Sequence, residues 1–188
     1  MKYKTIVIDP PWKPTSHGSD NVCGSYINLD LPYKQMSDDE IIQFPINDFT
    51  DNDCACFIWS THFKLPIAFK VLEKWCFKYH CLFTWYKNTG LTMKGIFRNS
   101  EFILFGYRGR FPFKNKGYAL RTTFEGKTNG NSVKPNEFYE MIRAKTPEPR
   151  IDIFARKRHK GFDAYGDQVE PNIQEVLIPT DEMKRDDQ

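Results

Sequence analysis

No run of about 18 apolar residues occurs in the chain, so no segment reads as a membrane-spanning helix. The opening stretch, Met1 to Asp9, lacks the apolar core of a secretion signal and reads as a strand that begins almost at once. Five cysteines, Cys23, Cys54, Cys56, Cys76 and Cys81, make an odd count without paired spacing. That pattern argues against a disulfide framework and for a reducing, cytoplasmic setting. With His62 and His80 the cysteines superficially resemble zinc ligands. Cys54 and Cys56, however, sit in an apolar run that reads as a strand, where buried free thiols are the better expectation and no metal site is expected. Gly-x-Gly-x-x-Gly and the P-loop pattern are both missing, which weakens dinucleotide and nucleoside-triphosphate readings.

What is present suits one soluble domain. The 188 residues are 40% hydrophobic and 27% charged, enough to bury a real core. Aromatic residues reach 15%, which fits either ring-rich packing or stacking on bases. Strands are expected at 4–9, 54–60, 82–86, 101–106 and 150–155, each a short apolar run. Ser37-Asp-Asp-Glu40 reads as a capping box opening a short helix. Apolar spacing predicts further helices over 65–77 and from Pro135 to about Lys145. Alternating strands and helices argue for an α/β fold with helices on both faces of the sheet. We expect residues 1–170 to form the domain and 171–188 a polar tail. In such sheets ligands bind beyond the carboxyl ends of the strands, so the loops after Asp9 and after Phe154 are the places to inspect.

Charge is unevenly spread. Residues 87–127 carry nine basic side chains against two acids, Glu101 and Glu125, although the whole chain has a net charge of only +3. Arg108, Arg110, Lys114 and Lys116 make this segment a candidate phosphate-binding platform. A solvated, variable loop explains the same charges.

Asp9-Pro10-Pro11-Trp12 directly follows the first strand. The Asp9 carboxylate and the Pro10 carbonyl form an acceptor pair, and the two prolines stiffen the backbone while removing N–H donors. Such a pair suits an exocyclic amine whose lone pair is delocalised into an aromatic ring, as at N6 of adenine. Holding both amine hydrogens favours a pyramidal nitrogen with an exposed lone pair. Trp12 offers an indole face for the base. A rigid strand-end turn with a packed tryptophan is the plainer explanation, and the motif alone does not decide between them.

Further markers follow in order: Leu31-Pro-Tyr33, Met36-Ser-Asp-Asp-Glu40, Phe57-Ile-Trp59, Glu101 before an apolar strand, Lys134-Pro135, Ile153-Phe-Ala-Arg156 and Gly166-Asp167-Gln168. Together, over roughly residues 3–170, they resemble the MT-A (seventy-kilodalton subunit) family of adenine N6-methyltransferases. The resemblance implies a Rossmann-like methyltransferase fold of permuted motif order, with a mostly parallel sheet and S-adenosylmethionine as methyl donor. It implies a catalytic element at Asp9, Pro10, Pro11 and Trp12, and a contact from Tyr33 to the target base or its loop. It places Lys134, Arg156, His159, Asp167 and Gln168 toward the cofactor. The run Arg156-Lys-Arg-His159-Lys160 reads equally as a phosphate patch. The family commonly has Asn where this chain has Asp167, and an aspartate cannot donate as an amide does. Nucleic acid is the implied partner. A compact bacterial or viral DNA enzyme is the expected setting because no zinc-finger segment is seen, with RNA methylation or a non-catalytic binding subunit as alternatives. A homodimer or partner subunit also fits.

Overall fold

The computed structural model describes residues 1–13, 34–93, 95–113, 119–127 and 133–169. Its centre is a seven-stranded sheet in the order β5-β3-β4-β2-β1-β6-β7. The strands are β1 (Tyr3–Ile8), β2 (Thr50–Ser60), β3 (Lys78–Met93), β4 (Ile96–Arg108), β5 (Thr123–Glu125), β6 (Arg150–Ile153) and β7 (Asp163–Tyr165). β4 runs against its neighbours β2 and β3, while every other pairing is parallel. The mostly parallel α/β fold expected from the sequence is therefore present.

Strands covered on both faces read as continuous apolar runs. In β2 every residue from Cys54 to Ser60 is buried, and in β1 so are Thr5 to Ile8. Alternation then divides the core. Ile6, Ile8, Cys54, Cys56, Ile58, Leu104, Ile151 and Ile153 face α1 (Asp38–Ile42) and α2 (Leu65–Lys74). Val7, Ala55, Phe57, Trp59, Ile103 and Phe105 face α3 (Asn136–Lys145), which buries Phe138, Tyr139 and Ile142. Cys54 and Cys56 are buried on the first of these faces, and burial pushes the Cys54 thiol up to about 12. The capping box at Ser37 is formed in both directions.

Two differences from the sequence reading matter for the site. β3 and β4 are longer than their apolar cores and continue as a paired hairpin past Tyr86 and Ser100. The extension opens on a polar run, Lys87-Asn-Thr-Gly90, which breaks the alternation that announces a strand. β5 and β7 are three residues each, too short for a period to be visible. Among the described residues no helix is long and apolar enough to cross a membrane.

Candidate active site

The parallel strands β1, β2 and β6 all end at one edge of the sheet, and Asp9 is the first residue beyond β1. Its N–H donates to the Ile153 carbonyl at 3.3 Å, which ties the motif to the end of β6. Pro10 accepts from the Trp12 N–H at 2.8 Å in a tight turn, and Pro11 accepts from the Met36 N–H at 2.9 Å. The Trp12 indole Nε1–H donates to the Trp59 carbonyl at 3.2 Å. The turn is thus fixed by neighbours on three sides. The Pro10 carbonyl keeps its second lone pair.

Asp9 is only 7% exposed and sits in a row of alternating charges. Lys87 Nζ lies 2.7 Å from Glu101 Oε1, and Lys134 Nζ lies 2.8 Å from Glu101 Oε2 and 3.2 Å from Asp9 Oδ1. Arg156 Nη2 lies 3.6 Å from Asp9 Oδ2. Lys134 also stands 4.8 Å over the Trp59 ring. Burial pushes the Asp9 carboxyl above its ordinary value, and Lys134 and Arg156 pull it back. Burial pushes Glu101 up too, but Lys134 and Lys87 outweigh that and bring it down to about 2. Burial disfavours the Lys134 charge, yet Asp9 and Glu101 outweigh this and hold it at about 12. Lys134 therefore stays charged at any working pH.

Behind Asp9 lies a second carboxyl. Asp152 points from β6 to the α3 face, is 2% exposed, and accepts the Tyr139 hydroxyl at 2.8 Å. Its Oδ1 is buried with no hydrogen-bond partner among the described residues, and burial raises its pKa well above the ordinary value. The Tyr139 and His159 rings stack 3.4 Å apart and nearly parallel. Burial pushes His159 down to about 4, so the imidazole is neutral at physiological pH. Phe154 adopts a left-handed backbone (φ 61°), turning the chain out of β6 toward Ala155 and Arg156. Gly166 packs against that turn: a Cβ there would lie 2.5 Å from the Ala155 carbonyl oxygen. Tyr139→Phe should destabilise the protein by about 1–3 kcal/mol, because both Asp152 oxygens are then buried without a donor. Urea denaturation should report it as a lower midpoint at unchanged slope.

Asp9, Lys134, Asp152, Arg156 and His159 line one pocket with Tyr139. Asp167 and Gln168 are exposed just after Gly166 rather than within that lining. Tyr33, Lys114 and Lys116 lie outside the described residues. Among the described residues, the basic side chains of segment 87–127 do not all lie together. Lys87 belongs to the charge row, whereas Arg108 lies seven residues along β4 from Glu101, about 24 Å away at the usual strand rise. There Arg108 donates to Asn47, Thr50 and the Asp51 carbonyl and covers the Phe77 ring, and Arg110 pairs with Asp53 at 2.7 Å. The β4 direction, opposite to its neighbours, carries these arginines to the far edge.

Sequence reasoning had Glu101 only as a marker and did not single out Lys87, Tyr139 or Asp152. The available signal was a lone carboxylate inside the buried run Ile151-Asp-Ile153. Two cations beside two carboxylates, one with an unmet acceptor, suit a zwitterionic amino-acid group that carries further positive charge. S-adenosylmethionine has that character, so the donor set fits it.

Residues 3–168 match the family model described as MT-A70. The chain is 25% identical over 193 residues to the type II methyltransferase M.MunI of a Mycoplasma species, covering 95% of this chain and 82% of that protein. It is 26% identical over 178 residues to the Arabidopsis thaliana N(6)-adenosine-methyltransferase MT-A70-like, covering 89% of this chain. It is also 26% identical over 164 residues to the human N(6)-adenosine-methyltransferase catalytic subunit METTL3, covering 82% of this chain. It spans 24% and 26% of those two longer proteins.

Proposed function

Because the chain belongs to the MT-A70 family, we propose that it methylates the N6 amine of adenine in nucleic acid, with DNA as the preferred substrate. The observation that carries this reading is the rigid Asp9-Pro10 acceptor pair, set beside a small, partly open pocket whose charged lining suits the amino-acid end of S-adenosylmethionine. That cofactor supplies an electrophilic sulfonium methyl. The protein's own work is positioning. Ionised Asp9 and the Pro10 carbonyl hold the amine hydrogens and orient the lone pair, and Asp9 is placed to take the proton released as the N–C bond forms. Pro11 and Trp12 fix the turn, and Trp12 offers a ring to the base. Lys134 and Arg156 take the methionine carboxylate, with His159 beside them. Asp167 and Gln168 accept and donate at the ribose and adenine end. Tyr33 is assigned to the target base or its loop. Of the basic segment, Arg110, Lys114 and Lys116 are assigned to phosphates in this reading, while Arg108 is largely committed to the fold.

The DNA preference rests on the likeness to a type II methyltransferase, 25% identical over 193 residues. RNA is the second reading, favoured by the word adenosine, a ribonucleoside, in the names of the plant and human relatives. Residues 1–170 form the catalytic domain in this reading, and the buried thiols Cys54 and Cys56 suit a reducing cytoplasm. The test is to incubate the purified protein with radiolabelled S-adenosylmethionine and, separately, single-stranded DNA, duplex DNA and RNA. Transfer to DNA above RNA is expected. Preferential transfer to RNA would overturn the DNA preference, and transfer to none would overturn the proposed activity.

A further inference from the structure

The hairpin extension of β3 and β4 rises beyond the same edge as Asp9, because β3 runs parallel to β1 and β4 begins where β3 ends. Alternation places Tyr86, Arg98, Ser100 and Phe102 on the α1/α2 face, the face against which Trp12 packs. The turn after β2, Thr61 to Lys64, lies on that side too. It is held there by His62, whose Nε2 is 3.1 Å from Ser100 Oγ and whose ring meets Phe102 at 4.7 Å.

Two consecutive residues of this turn each take part in a ring–cation pair. Arg98 stands 4.9 Å over the Phe63 ring, and Lys64 stands 5.9 Å over the Trp12 ring. Lys64 is fixed by Asp38 at 2.7 Å. Phe63 is 37% exposed and Tyr86 44%. Arg98 Nη1 is buried with no hydrogen-bond partner among the described residues, so the guanidinium is held by its packing on the Phe63 ring. Aromatic and cationic groups are thus paired at two consecutive turn residues, the second pair including Trp12 of the catalytic turn.

We propose that Phe63 and Arg98, with Tyr86 beside them, form a subsite for an unpaired nucleotide next to the target adenine. This rests on the adenine-methylation reading above. A base taken out of its stack leaves neighbours whose faces are exposed, and rings interleaved with cations bind such strands through stacking and phosphate attraction. The turn's fixed geometry means little ordering is needed on binding.

The test uses fluorescence anisotropy with a labelled single-stranded DNA carrying one adenine, and the same strand with abasic sites flanking that adenine. Phe63→Leu keeps an apolar side chain but removes the ring face. It should weaken binding of the intact strand about tenfold, near the low end for one stacked base, and should bind the abasic strand as the unsubstituted protein does. Arg98→Lys should also weaken the intact strand, since lysine keeps the charge but not the planar group. S-adenosylmethionine affinity should be the same in all three proteins. Unchanged affinity of Phe63→Leu for the intact strand, or equal losses on both strands, would overturn the subsite. So would a changed sedimentation coefficient in Phe63→Leu, which would mark a contact between protein chains. Failure of the unsubstituted protein to methylate adenine would instead overturn the activity, and the binding comparison separates the two.

Discussion

Asp9→Ala is expected to abolish methyl transfer, lowering kcat by roughly a thousandfold or more, the scale seen when a positioned proton acceptor or charge stabiliser is removed. The fold should survive, because Lys134 keeps Glu101 as its partner at 2.8 Å. Asp9→Asn should fail almost as badly. The amide has the same shape but no charge, and it presents a donor to an amine that needs acceptors. The same logic fixes the pH dependence. Asp9 must be ionised, and burial raises its carboxyl above the ordinary 3.8 despite Lys134 and Arg156. Activity should therefore fall with acid at a pH above the usual carboxylate range, and Arg156→Gln, which removes one of those cations, should move the fall to still higher pH. A pH–rate series on the two proteins checks the sign. Near-normal transfer by Asp9→Asn would remove Asp9 from the chemistry.

Lys134→Met should have the second largest effect, on both stability and cofactor binding. It keeps an unbranched apolar stem but leaves Asp9 and Glu101 facing each other across the lost cation. Breaking a buried pair costs about 3–5 kcal/mol, and Lys87 and Arg156 should hold the loss near the lower figure. Calorimetry should show S-adenosylmethionine affinity weakened by about 1–3 kcal/mol, the worth of a charge-assisted hydrogen bond. Adding Glu101→Gln to Lys134→Met removes the second carboxylate charge and should restore part of the lost stability. Simple additivity of the two single losses would contradict a coupled charge row.

Those charges also mark how far the amino-acid sequence can be read. A motif at a strand end is legible because the apolar run stops abruptly at Asp9-Pro10, and Lys134 and Arg156 are legible as family positions near element ends. Their meeting around Asp9 is not, since Lys134 reaches it from 125 residues away in sequence, through the packing of the segment before α3. Asp152 was hidden because alternation alone does not tell which face of a buried strand holds a pocket. The placement of the basic residues is hard to read for the opposite reason: charge density along the chain carries no direction, and antiparallel β4 sends Arg108 to the far edge while Arg98 stays near the site. The hairpin holding Arg98 is hard to read as strand because the polar run Lys87-Asn-Thr-Gly90 interrupts the apolar pattern before it.

The most direct test of the account is the identity of the product. Nucleic acid treated with the protein and S-adenosylmethionine is digested to nucleosides and analysed by mass spectrometry against authentic standards. The account predicts the added methyl on N6 of adenine, and none in a parallel reaction with Asp9→Asn. A methyl group on a ring nitrogen or on another base, or an equal yield of N6-methyladenine from Asp9→Asn, would contradict it.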